Sequence, residues 1–180
     1  MKYISLLRGI NVGGKRPLSM VELKKMLSGL GLKKITTYIQ SGNVIFHSDI
    51  SDYLAISKLI EESINLTFGY EVPVITIPVN DFLEKIKLNP YLKDTESNRL
   101  HISFLETEPT QESIDILNKI NVEPESFSLV KNVIFIRCKN KFASQSRLTN
   151  TFFESKLKVK TTTRNWKTIT KIKDIAIQTD

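Results

Sequence analysis

The chain is predicted to be an α+β protein built from two tandem ferredoxin-like βαββαβ halves packed together, with an additional C-terminal helix. Two observations predict this. Short apolar runs with strand character alternate with stretches of helical periodicity, and the order strand–helix–strand–strand–helix–strand occurs twice. A third supports packing of the halves: no Gly/Ser-rich linker separates residues 1–79 from residues 80–180. With 41% hydrophobic and 25% charged residues in 180, there is enough apolar material to bury a core, and disorder is excluded.

In the first half, Tyr3 to Arg8 reads as a buried strand, followed by a glycine-rich loop, Arg8 to Pro17. Ser19 and Glu22 fit a capping box, and Met20, Leu23, Leu27 and Leu30 follow at helical spacing. Gly31 is placed to stop that helix in a left-handed conformation. Ile35 to Gln40 and Asn43 to His47 flank Ser41-Gly42, a hairpin turn. Ser51 is expected to cap a helix through Phe68, with Gly69 after it. Val72 to Val79 is a strand whose Pro73 and Pro78 suit strand ends or an edge.

In the second half, Asn80 is expected to cap a short helix through Ile86, ended by Asn89-Pro90. Leu100 to Leu105 is a strand and Thr110 to Ile120 a helix. Phe127 to Val130 and Val133 to Cys138 flank Lys131-Asn132, a second tight turn. Leu148, Phe152, Phe153 and Leu157 suggest a helix, residues 158–162 a short strand, and Trp166, Ile169, Ile172 and Ala176 a final amphipathic helix. No residue-level identity between the halves is read, so the repeat rests on pattern.

The net charge of +7 is unevenly distributed: residues 1–40 carry +7, 41–79 carry −4, 80–130 carry −5 and 131–180 carry +9. If the two basic ends meet, their summed field would attract a polyanion; a solvated, solubilising surface is the plain alternative. No apolar run approaches the roughly 18 residues of a membrane span. The N-terminal apolar stretch is too short for a signal peptide, so a cytoplasmic location and no membrane partner are expected. One cysteine excludes an internal disulfide and a multi-cysteine zinc site. His47 and His101 lack metal-ligand spacing, and Cys138 is expected to be an inert buried thiol with no nearby partner. No catalytic constellation, metal or cofactor is predicted.

Three segments carry the candidate ligand-binding residues. Gly9 to Lys15 has the spacing G-x-x-x-x-G-K after a strand, as in a phosphate-cradling P-loop. Arg16 replaces the required Ser or Thr, Pro17 removes an amide, and the helix starts too late, so a triphosphatase is disfavoured. An anion-binding loop using Arg8, Asn11, Gly13, Gly14, Lys15 and Arg16 remains, against a plain surface loop that needs glycine for its backbone angles. The second segment, Thr161 to Lys167, is read as the start of the last helix, where Thr163, Arg164, Asn165 and Lys167 would favour an anion. Trp166 would stack on a base or, preferentially, pack with Ile169 and Ile172. The third is the hairpin tip with Tyr38, Gln40, Ser41 and Asn43; there Gly42 and Asn43 more often simply satisfy turn geometry.

Leu6 to Gly14 (Leu-Leu-Arg-Gly-Ile-Asn-Val-Gly-Gly), Tyr38 to Val44 (Tyr-Ile-Gln-Ser-Gly-Asn-Val) and Thr163 to Trp166, with Lys171 downstream, resemble the bacterial domain of unknown function 1697 family in the same order along the chain. The resemblance implies a soluble bacterial protein with paired ferredoxin-like subdomains and no settled activity. The segment Lys141 to Leu148 departs from the lysine- and leucine-containing form of the family.

The favoured expectation is a protein that binds nucleic acid or a phosphorylated ligand through a basic face formed by both chain ends. The alternatives are an enzyme on a small nucleotide-like or phosphorylated substrate in a cleft between the halves, and a protein-interaction module.

Overall fold

The computed structural model describes residues 1–93, 96, 99–139 and 146–178. Strand β1 (Lys2–Leu7) is followed by α1 (Met20–Gly29), β2 (Lys33–Tyr38), β3 (Asn43–His47), α2 (Tyr53–Phe68) and β4 (Val74–Pro78). Helix α3 (Val79–Lys87) leads to β5 (Leu100–Leu105), α4 (Gln111–Asn118), β6 (Ser126–Val130), β7 (Val133–Arg137), α5 (Asn150–Leu157), β8 (Thr161–Asn165) and α6 (Trp166–Gln178). Among the described residues the strands form two four-stranded antiparallel sheets, ordered β2-β3-β1-β4 and β6-β7-β5-β8. The protein is therefore mixed α+β with two similar halves. No helix is long and apolar enough to cross a membrane among the described residues.

The chain divides into two compact units, Met1–Glu84 with Ile172–Asp180, and Lys85–Lys171. The first unit thus takes in Asn80–Glu84 and the end of α6, beyond the expected boundary at 79/80. Lys2 Nζ donates to the Ala176 carbonyl at 2.6 Å, a cation on the last turn of α6.

In the first unit, one face of the sheet supplies Tyr3, Leu7, Val44, Phe46 and Val74 to a core with Leu23 and Leu27 of α1 and Ile56, Ile60 and Ile64 of α2. Strand β4 is an edge, flanked by its prolines as expected, and α2 satisfies its free amides. Val74 N donates to Glu61 Oε1 (2.8 Å) and Thr76 N to Ser57 Oγ (3.0 Å). Helix α1 ends as expected at Gly31, φ +79°. Gly31 N reaches Ser28 O (3.0 Å) and Leu32 N reaches Leu27 O (3.3 Å), the paired bonds of a Schellman motif.

In the second unit, Leu105, Ile134 and Ile136 pack with Leu117 of α4 and Phe153 and Leu157 of α5. Thr161 N at the β8 edge donates to Glu154 Oε1 at 2.8 Å, the counterpart of the Glu61 bond.

Several local expectations are corrected. Asp52, not Ser51, caps α2, accepting from Leu54 N (2.9 Å) and Ala55 N (3.2 Å). Ser19, by contrast, caps α1 as expected, accepting from Val21 N (3.3 Å). Asn80 lies inside α3, because β4 runs directly into that helix and leaves no capping position. The last strand falls at Thr161–Asn165 rather than 158–162: Lys158 takes φ +57° to end α5, which pushes the strand onto the threonine run. The expected 80–180 helix order is otherwise followed, and the part of the 141–148 segment at Lys141 to Gln145 lies outside the described residues.

Candidate functional site

The glycine-rich loop after β1 is a miniature hairpin. Asn11 N donates to Arg16 O (3.1 Å) and Lys15 N to Val12 O (3.0 Å). Gly13 and Gly14 sit at φ +58° and +73°, the pair of positive angles that a tight type I′ turn demands. The Lys15 amide therefore closes the turn instead of wrapping a phosphate, and the G-x-x-x-x-G-K spacing does not make a P-loop. Arg16 folds back over Gly9, where an added Cβ would lie 3.0 Å from Arg16 Nη1.

The hairpin tip between β2 and β3 also differs from the expected two-residue turn. Tyr38 pairs with Asn43, so Ile39 to Gly42 forms a four-residue turn. Gly42 has φ +76°, and a Cβ there would meet Leu7 Cβ at 2.6 Å and Ile10 Cδ1 at 2.8 Å. The turn backbone rests directly on the core end of β1, and Leu7 N donates to Gly42 O at 2.8 Å. Asn43 is buried, and its amide donates to Tyr38 O (3.0 Å) and Ser41 Oγ (3.1 Å). Its role is to close the turn.

One side chain joins the two loops. Asn11 Nδ2 donates to Leu18 O (2.8 Å) and to Gln40 O (2.9 Å), while its Oδ1 accepts from Leu18 N (2.7 Å). Asn11 itself is at φ +53°, a left-handed angle that asparagine tolerates better than most residues. Its amide is thus a clamp between the two loops. The motifs at 8–16 and 38–43 become a single loop cluster at the end of β1. Lys15 and Gln40 are exposed on it, and Arg8, Arg16, Tyr38 and Ser41 are half-buried. No acidic residue occurs in 8–18 or 38–43. The cluster can offer cations and hydrogen-bond donors to an anion. Among the described residues, no group of three or more His, Cys, Asp or Glu is arranged to hold a metal ion.

The third motif lies in the second unit and differs from its expected form. Thr163, Arg164 and Asn165 belong to β8, which runs straight into α6 at Trp166, because a β-branched run pairs well with β5. Arg164 stands opposite Ile102 and is buried; its Nη1 donates to Thr162 Oγ1 and Thr163 O, both at 3.0 Å. Burial pulls its guanidinium down to about 10. Thr163 Oγ1 donates to Asn150 Oδ1 at 2.7 Å. Asn165 caps α6 by accepting from Thr168 N at 2.8 Å. Trp166 is half-buried and Lys167 exposed.

Known proteins place this chain. The family described as "Protein of unknown function (DUF1697)" matches residues 1–135. The chain belongs to that family. No curated protein matches it. Among solved structures it is similar to the conserved bacterial protein SP0830 from Streptococcus pneumoniae, with 27% identity, a TM-score of 0.77, and coverage of 97% of this chain and 98% of that one. The matched span contains both loops of the first-unit cluster, and the third motif lies beyond it.

Two features escaped sequence reading. The first is a pairing: Cys138 Sγ lies 3.6 Å from His101 Nδ1, both buried, which corrects the expectation that Cys138 has no nearby partner. The β5–β7 register sets Leu100 opposite Arg137 and so brings together residues far apart in sequence. Burial raises the thiol and lowers the imidazole, which keeps both neutral near pH 7 and leaves the thiol a poor nucleophile. The second is an internal identity: Ile4-Ser5-Leu6-Leu7 in β1 and Ile102-Ser103-Phe104-Leu105 in β5 share three of four residues at equivalent places in the two sheets.

Proposed function

We propose that this protein binds a phosphate-bearing ligand, nucleic acid foremost, at the loop cluster of the first unit. The single observation that carries this reading is the Asn11 clamp, which fixes the basic hairpin to the Ile39–Gly42 turn. Arg8, Lys15 and Arg16 then belong to one loop cluster whose own two segments carry no acidic residue, together with the polar Gln40 and Ser41. Guanidinium groups suit phosphate because two N–H donors can engage two oxygens at once. Rigid loops matter because a preorganised cation cluster loses less entropy on binding.

The sheet orders support a finer fold reading as well. In each half the central pair is strands one and three, with strands two and four outside, as a ferredoxin-like βαββαβ unit requires. A cytoplasmic location fits the single, free cysteine.

The test is fluorescence anisotropy with labelled RNA and DNA oligonucleotides across salt concentrations. Three cations engaging single-strand phosphates should give a log–log salt slope of about −2. Lys15→Gln with Arg16→Gln should weaken binding to all sequences alike and bring the slope toward about −1. Absence of binding to every oligonucleotide at low salt overturns the proposal.

A further inference from the structure

The loop cluster carries a feature that phosphate binding does not require. Val12 and Ile39 flank the Asn11–Gln40 hydrogen bond, one on each loop, and are 61% and 48% exposed. Ile39 is also held at φ +49°. A β-branched side chain in that region is a genuine outlier, since its branched Cβ crowds the backbone. Glycine or asparagine would fit the angle with less strain. Folding alone therefore gives no reason for an isoleucine there, exposed and strained. Such strain concentrates where a side chain has work outside the fold.

The surroundings select the partner. Lys15 and Arg16 belong to the same hairpin as Val12, Arg8 leads into it, and the half-buried Tyr38 precedes Ile39. A paired duplex presents sugar, phosphate and polar groove edges, which give an exposed isoleucine little to bury against. An unpaired strand offers apolar base faces next to its phosphates. The exposed Gln40 amide adds a group able to reach base edges. A lipid surface would use the cations too, but stable insertion draws on a broad apolar face, and two aliphatic side chains are a small one.

From this arrangement we infer that the ligand of the cluster is single-stranded nucleic acid, with Ile39 and Val12 packing on unpaired bases while the basic hairpin holds the backbone. The inference rests on the phosphate-binding reading of the same cluster. It is a claim about specificity: the site distinguishes unpaired from paired strands.

The experiment compares one labelled oligonucleotide of about 15 nucleotides, free and annealed to its complement, by anisotropy. The wild-type protein should bind the single strand roughly tenfold more tightly than the duplex. Ile39→Ser and Val12→Ser should each reduce that ratio by about fivefold or more, with a thermal melt no lower than wild type showing that the fold is intact. Lys15→Gln serves as the contrast, weakening both forms and leaving the ratio in place. Equal affinity for the two forms, or an Ile39→Ser ratio equal to wild type, overturns the inference while leaving phosphate binding standing. No oligonucleotide binding at all overturns both. Phosphatidylserine vesicles form a second arm: vesicle binding that Ile39→Ser abolishes, without preference for single strands, overturns the inference in favour of a membrane surface.

Discussion

Gly42→Ala tests whether the Ile39–Gly42 turn is seated on the core as described. The backbone there is at φ +76°, which costs an L-residue about 1–2 kcal/mol. The new Cβ would sit 2.6 Å from Leu7 Cβ and 2.8 Å from Ile10 Cδ1. Leu7 and Ile10 are both 0% exposed, so neither can move into solvent. Overpacking of this type costs about 1–3 kcal/mol. The lower entropy of an unfolded alanine chain offsets about 0.4–1 kcal/mol. The net loss is about 2–4 kcal/mol, or roughly 4–16 °C in Tm for a chain of this size. Gly14→Ala is the matched control. Its φ is +73°, but nothing lies within 4 Å of its added Cβ, so only the backbone cost applies and the loss is about 1 kcal/mol. Thermal and urea melts followed by circular dichroism compare the two. If Gly42→Ala loses no more stability than Gly14→Ala, the close approach of turn and core is refuted.

Three further outcomes are expected. Ile39→Asn relieves the left-handed isoleucine and should raise stability by about 1 kcal/mol in a urea melt; a loss of stability would refute the strain at φ +49°. Asn11→Ala removes three hydrogen bonds and places alanine at φ +53°, so it should cost about 3 kcal/mol and weaken oligonucleotide binding; a wild-type urea midpoint would refute the clamp. Burial lowers the His101 imidazole pKa, so as pH falls the unfolded chain takes up that proton before the folded one does. The stability from neutral His101 is therefore complete above the unfolded value of about 6.5 and is lost as pH drops below it toward the folded-state pKa. His101→Gln should flatten the acid side of a plot of urea midpoint against pH, and an unchanged slope would refute this.

Strand and helix order was legible because apolar periodicity is a local signal, and so was the Gly31 stop, because only a left-handed residue completes that motif. The two loop motifs were legible as candidates, but their junction was not. Asn11 and Gln40 meet through a backbone carbonyl, and no spacing rule reports such a bond. The third motif misled for a definite reason. Thr161 to Asn165 contains the polar and hydroxyl residues of a helix start, yet its β-branched run is also good strand material, and pairing with β5 decides between them. Arg164 on that strand is a buried cation bonded to Thr162 and Thr163. The Cys138–His101 contact was invisible because it depends on strand register.

The two halves also show which features folding needs and which it does not. Both use a glutamate of the second helix to satisfy the edge strand, Glu61 on Val74 and Glu154 on Thr161, each at 2.8 Å. Both close the end of the first strand on the turn between strands two and three, Leu7 N on Gly42 O at 2.8 Å and Leu105 N on Asn132 O at 2.9 Å. The second unit achieves that closure with the two-residue turn Lys131-Asn132 and joins β5 to α4 through residues 106–110. The first unit uses a longer turn with a strained Ile39 and inserts the basic hairpin between β1 and α1. The shorter connections of the second unit make the same closing bonds, so the fold itself does not call for the additions. A longer loop costs closure entropy, and a left-handed isoleucine costs backbone energy. Those costs fall together on one surface of one unit, where the exposed Lys15, Gln40, Val12 and Ile39 also lie, and a ligand bound there would offset them.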